Sequence, residues 1–248
     1  MRWSDEAILL STRRHGESGL LVHLLTQEHG RHAGLVRGGQ RPRARAAYQI
    51  GNRLLVTWSA RLADHLGTIQ GETTHLHAAG LIGAPERLAG LAAAAALADA
   101  SLPEREPHPR AYGGLVALLE ALAADDGWMP AYVRWEMALL ADLGYGLDLA
   151  TCAATGVTTD LIYVSPNSGR AVSAEAGQPY KDRLLKLPPF LRIDSNLAPP
   201  TAEDVLDGLA LSGFFLDHRV FAPHGQGLPP ARTRFVDALR RFATISSG

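Results

Sequence analysis

Up to about residue 75 the apolar residues come in short runs, and beyond it they recur at helical spacing. The runs AILLSTR (7–13) and LLVHLLT (20–26) have strand length and flank the turn-like stretch HGESG. After a second turn at Glu28-His29-Gly30, RHAGLVR (31–37) reads as a third strand. RLLVTWSA (53–60) and HLGTIQGE (65–72) are the fourth and fifth, the former rich in Val, Thr and Trp. Five short strands in about 70 residues, with no helical period, predict a small antiparallel barrel or sheet. Between strands three and four, Gly38-Gly39 and Pro42 predict an irregular loop.

The pattern then changes. PERLAGLAAAAALADASL (85–102) opens on a proline suited to a first helical turn and continues in strong helix formers. Helices are also predicted over 110–125, over 130–144 with Gly144 as C-cap, over 201–221 and over 229–243. Apolar residues at 132, 133, 137, 140 and 143 lie close to one stripe. Thr201 stands three residues before Asp204, the spacing of a capping box. Residues 148–200, rich in Gly, Pro, Ser and Thr, read as irregular. The expected organisation is a β domain over 1–75 followed by a larger helical domain over 76–248.

Composition adds modest bounds. With 46% hydrophobic and 20% charged residues the chain reads as a soluble globular protein. Its longest near-apolar run, 88–97, is too short to span a bilayer, and the N-terminal residues do not read as a signal peptide. One cysteine, Cys152, has no internal partner, which places the expectation in a reducing compartment.

Charge is more informative. Lys+Arg number 24 and Asp+Glu 25, yet residues 1–75 hold ten arginines and six acids, a net of +4 that leaves −5 for the rest. Between Glu28 and Asp64 stand seven arginines and no acid. The only lysines are Lys181 and Lys186; a GC-rich coding bias accounts for the ratio of arginine to lysine, but not for this placement. VRGGQRPRARAAYQIG (36–51) concentrates the effect, with Arg37, Arg41, Arg43 and Arg45. Arg31 and Arg53 edge the flanking strands, Arg13 and Arg14 end the first strand, and Tyr48 and Trp58 are nearby aromatics. Guanidinium forks match phosphate oxygens, and cations interleaved with aromatic rings on a small barrel suit single-stranded nucleic acid. A solvated loop, an anion site or a face for an acidic protein partner are the alternatives at this point.

Signatures of catalysis are missing: the sequence holds no G-x-x-x-x-G-K-[ST], G-x-S-x-G, H-E-x-x-H or G-x-G-x-x-G. The paired acids Asp5/Glu6, Asp125/Asp126 and Glu203/Asp204 read as solvated caps rather than catalytic dyads. His15, His23, His29 and His32 lack a nearby cysteine and read as surface or half-buried residues, as do His75 and His77, expected on one face of an extended segment. An enzyme acting on phosphorylated small molecules would need Gly38-Gly39 as an anion nest.

An ordered set of segments carries a family resemblance. WSDEAILLS, HGESGLLVHLLTQEHG, VRGGQR and GNRLLV follow one another in the N-terminal part, and LLADLGYGLDLATC (139–152) and SGRAVSAEAGQPYKDRLLKLPPFL (168–191) follow later. Together they resemble the RecO family of bacterial recombination mediators over most of the chain. The resemblance implies an α+β protein, with an N-terminal five-stranded OB-fold barrel and a mainly α-helical C-terminal domain. It implies binding of single- and double-stranded DNA, annealing of complementary strands, and no catalysis. It also implies partnership with RecR and with the C-terminal tail of the single-stranded-DNA-binding protein in loading RecA, by a cytoplasmic, nucleoid-associated chain that is monomeric alone. Arg110, Arg134, Lys181 and Arg183 are candidates for the acidic tail. Many family members carry four zinc cysteines; here the matching positions read Cys152, Thr155, Ser173 and Ala176. No metal and no cofactor are expected, and Cys152 reads as a small buried apolar residue.

Overall fold

A computed structural model describes residues 1–62, 64–124, 127–192 and 199–246, except the side chains of Arg43 and of 242–246. Asp125/Asp126 therefore lie outside the described residues. The five expected strands are present: β1 (Arg2–His15), β2 (Gly19–Thr26), β3 (Gly30–Val36), β4 (Arg53–Ser59) and β5 (Gly67–His75). They close into a barrel in the order β1-β2-β3-β5-β4. All neighbours are antiparallel except β3 and β5, which run parallel through two registered pairs, Gly34↔Gly67 and Leu35↔Thr68. This strand order and closure is the OB-fold.

Period-two burial builds the core. Leu20, Val22 and Leu24 of β2 point inward with Leu54, Val56 and Trp58 of β4 and Ile69 of β5. On β1, Ala7 and Leu9 face the barrel interior, while Ile8 and Leu10 are equally buried on the other face. That second face is covered because α3 (Pro85–Ser101) packs on β1 and β2. The alanines of α3 suit the task, since Ala93, Ala94 and Ala98 are fully buried and allow close approach.

The stretch expected to be a loop contains a helix instead. Residues 42–47 form α1 (Pro42–Ala47), with Pro42 in its first turn. Ala44, Ala47 and Tyr48 pack on the barrel core, while Arg41, Arg45 and Ala46 are exposed. A three-to-four-residue spacing of small and aromatic residues is thus an amphipathic turn, too short for the period to be noticed among the arginines.

Beyond β5 come a one-turn helix, α2 (His77–Gly80), then α3, α4 (Pro109–Ala123) and α5 (Trp128–Asp142). Contacts group residues 1–126 and 229–235 as one compact unit, and 127–228 and 236–248 as a second. In the second, α5 packs on α7 (Ala202–Phe215), where Ser212 Oγ donates to the fully buried Glu136 carboxylate at 2.5 Å. Tyr132, Val133 and Leu140 of the expected stripe are fully buried. The capping box forms: Thr201 Oγ1 accepts from Asp204 N–H, and the Asp204 carboxylate accepts from Thr201 N–H. From Leu216 to Phe221 the helix widens into a π-helical turn. The chain's final helix is α8 (Pro230–Ser246).

Residues 148–200 depart from the irregular expectation. They hold a three-stranded sheet, β6 (Leu161–Val164), β7 (Ala171–Ser173) and β8 (Leu185–Lys186), in the order β7-β6-β8. A one-turn helix, α6 (Ala174–Gly177), follows β7. Strands of two to four residues give no readable alternation.

Trp58 sets one strict packing limit. Its indole lies across Gly67, where a Cβ would stand 2.2 Å from a ring atom, and its Nε1–H donates to Ala33 O at 3.2 Å. Gly67→Ala is expected to cost about 1–3 kcal/mol through overpacking, read as a lower midpoint in chemical denaturation, with a Ser substitution at exposed Gly80 as the neutral control.

Candidate nucleic-acid interface

The arginines gathered by the sequence divide into two groups in the fold. Arg31 and Arg53 are held by acids. Arg31 Nε donates to Leu102 O at 2.8 Å, and its guanidinium pairs with Asp99 at 3.2 Å and Glu104 at 3.5 Å. Arg53 pairs with Glu6 at 2.7 Å. Both side chains are 15% exposed, so neither is free to meet a phosphate as placed. Arg13, Arg14, Arg37, Arg41 and Arg45 are exposed and make no ion pair among the described residues. The Arg43 side chain lies outside the described part.

The two candidate aromatics are corrected by their burial. Trp58 is 2% exposed and Tyr48 is 7% exposed, both within the barrel core. Trp58 lines neither hollow beside α1, whereas Tyr48 contributes its small exposed part to both. Their type was a poor guide here, because a closed barrel of five strands needs large rings to fill it.

Several neutral residues that the charge pattern did not single out hold the basic segment in place. Gln40 Nε2 donates to Gly16 O and Gly19 O, and Gln40 N–H to Ser18 O, clasping the β1–β2 turn. At the other end of α1, the fully buried Asn52 donates from Nδ2 to Ala46 O and Ala47 O, while its own carbonyl accepts from Leu9 N–H. Unpaired carbonyls at a helix C-terminus are thereby satisfied. Gly38 adopts φ +67°, which favours glycine, and makes the turn into α1. Gly39 N–H donates to Val36 O and Arg41 N–H to Gly38 O. Those two amides are thus turned to the chain's own carbonyls rather than outward to an anion.

Two hollows flank α1. One, of about 780 Å³, has Arg14 and Arg45 beside an apolar floor that includes Leu20, Ile50, Leu88 and Leu91. The other, of about 430 Å³, places Arg37 beside Ala44, Ile69 and Gln70. Among the described residues no acid lines either one.

Histidines serve the scaffold. His23 Nδ1 lies 2.8 Å from Asp99. His29 stacks on Trp3 at 4.1 Å between ring centroids and bonds to Asp5, which also accepts from Glu28 N–H. Asp5 is therefore a buried acceptor rather than the solvated cap expected of it. His32 packs edge-on to Trp3 and Trp58. His75 ends β5 and His77 opens α2, so the pair does not share an extended segment, although their rings stack at 5.8 Å. Among the described residues no three His, Cys, Asp or Glu gather to hold a metal.

Arg110 lies exposed in the first turn of α4. In the second unit, Lys181 and Arg183 are exposed on a 3₁₀ turn, and Arg134 donates to Phe190 O while resting over the Phe190 ring at 5.3 Å. At the positions of the family's zinc cysteines, Cys152 is buried and its sulfur accepts from Ser173 N–H at 3.3 Å. Thr155, Ser173 and Ala176 supply no thiolate, so the donor set does not fit zinc. No helix among the described residues is long and apolar enough to cross a membrane.

The fold and this face together define an OB-barrel protein with exposed, unpaired arginines at the end of β1 and around α1. A family model described as Recombination protein O N terminal matches residues 1–77, and one described as Recombination protein O C terminal matches 83–226. The chain is 52% identical to the DNA repair protein RecO of Rhodospirillum centenum, across 99% of this chain and 98% of that one. It is also 52% identical to that of Rhodospirillum rubrum, across 98% of each, and 49% identical to that of a Ruegeria species, across 97% and 99%. This chain belongs to the RecO family of DNA repair proteins.

Two outcomes are expected of the scaffold. Asp99 raises the pKa of His23 above 6.5, mainly by their hydrogen bond, against the opposing effect of burial. The stabilisation is fully present below 6.5 and is lost as pH rises through the higher folded value. Denaturation midpoints of the wild type should fall over that interval, and His23→Gln should remove that part of the slope. A zinc chelator should leave the wild-type midpoint unchanged, which a paired melt with and without chelator measures.

Proposed function

We propose that the exposed arginine face binds single- and double-stranded DNA without covalent chemistry, and uses that binding to anneal complementary strands. The observation that carries the reading is the set of five exposed, unpaired arginines on an OB barrel, beside hollows lined by no acid. Arg13, Arg14, Arg37, Arg41 and Arg45 neutralise phosphates and release counterions, giving a salt-dependent and sequence-tolerant affinity. Two strands repel as polyanions, and a cationic surface that holds both lowers the work of bringing them together. Arg31 and Arg53 act in this reading as scaffold, and Arg43 is kept as a further candidate for phosphate contact.

In the cell the protein works with RecR to load RecA onto DNA covered by the single-stranded-DNA-binding protein. Membership of the family and its DNA repair relatives support that assignment. The acidic C-terminal tail of the covering protein is assigned to the helical region, where Arg110, Arg134, Lys181 and Arg183 are separate candidates for contact with it. The chain acts as a non-catalytic mediator at the nucleoid.

The test is oligonucleotide affinity and strand annealing across a salt series, comparing the wild type with Arg37→Ala/Arg41→Ala/Arg45→Ala. The triple variant should anneal more slowly. Its log affinity should depend less steeply on log salt, by roughly one unit for each phosphate contact removed. Unchanged annealing in the variant would remove the face from the mechanism. Absence of DNA affinity at low salt, with RecR binding retained, would give the face to an acidic protein partner instead.

A further inference from the structure

The larger hollow beside α1 offers more than phosphate neutralisation requires. At about 780 Å³ it falls within the roughly 300–1,000 Å³ of small-ligand pockets. Its floor is apolar, with Leu20 and Leu91 nearly fully buried beneath it and Ile50 36% exposed beside it. Arg14 reaches it from β1 and Arg45 from α1, and Thr12 and Gln49 add hydrogen-bonding groups.

We propose that this cleft is a base pocket, taking one unstacked nucleotide of single-stranded DNA. The base lies on the floor formed by Leu20, Ile50, Leu88 and Leu91, and the phosphates on either side of it meet Arg14 and Arg45. The proposal rests on the DNA-binding reading above and adds a preference to it. Duplex DNA keeps its base faces in the stack, so an apolar floor gives it nothing, whereas an exposed base gains by leaving water. Two cations from separate elements suit a chain with a phosphate on each side of every base. A short acidic peptide also matches the sign of the charge, and the experiment below separates it from a nucleotide. Trp58, buried in the barrel core, is not a stacking platform, and Tyr48 lines the cleft with only 7% of its surface exposed, so aliphatic contact makes most of the floor that holds the base.

The experiment uses the full chain and fluorescence anisotropy with three probes of equal length: oligothymidine, the same strand carrying abasic sites, and a duplex. Ile50→Asn and Ala92→Gln each make the cleft polar without changing charge, and the exposed Ile50 position guards against a folding defect at Ala92 on α3. The wild type should bind oligothymidine more tightly than the abasic strand. Each variant should lose about tenfold on oligothymidine and nothing on the abasic strand or duplex, with the salt slope unchanged. Equal losses on all three probes, or none on oligothymidine, would overturn the pocket. If duplex binding stands and the two single strands bind alike, the pocket alone falls. If no probe binds with a salt-dependent affinity, the DNA reading falls with it. An acidic peptide with apolar residues whose binding is lost in both variants, while oligothymidine affinity is unchanged, would assign the cleft to a protein tail.

Discussion

One ring from outside the strands is built into the barrel core. Tyr48, just past α1, sits in the core with Trp58 and the aliphatics of β2 and β4, and brings Ala44 and Ala47 down with it. Everything on the outer side of α1 follows from that anchorage. Arg41 and Arg45 project to solvent because the opposite side of the same short helix is committed to the core. A flexible loop of the same composition would carry equal charge without a fixed surface. Here the loss of conformational freedom occurs on folding, so less remains to be lost when a ligand binds.

Most of the fold was legible because its signals are long or repeated. Five apolar runs of strand length and helices of 14 to 17 residues leave clear patterns. The capping box at Thr201 was legible for a chemical reason, since its two partners are fixed at three residues apart. The helix α1 escaped because six residues hold less than two turns, and glycines and a proline beside it read as turn signals. The small sheet within 148–200 escaped because its strands are too short to alternate.

The site was legible in its charge and not in its geometry. Composition identified an acid-free window, but sequence does not say which arginine faces an acid brought from another element. Arg31 meets Asp99, 68 residues away, and Arg53 meets Glu6, 47 residues away. OB barrels commonly bind oligonucleotides on the face of strands two and three. In this chain, His23 and Arg31 on that face are bound to Asp99 of α3, so the available cations lie at the end of β1 and around α1. Neutral Gln40 and Asn52 position them, and nothing in a charge count points to such residues.

The parallel seam between β3 and β5 rests on two registered pairs, while every other seam of the barrel runs antiparallel over seven or eight. The β1-β2-β3 meander and the β4-β5 hairpin each join strands close in sequence, so loop-closure entropy favours their forming as separate pieces. The only chain between those pieces is the segment that contains α1. Two seams join those pieces, β1 to β4 over seven pairs and β3 to β5 over two, and Tyr48 packs in the core that they enclose. Without the barrel core the arginines would sit on an untethered connector, so the fixed cationic surface is a property of the assembled barrel and not of the segment that carries the charge.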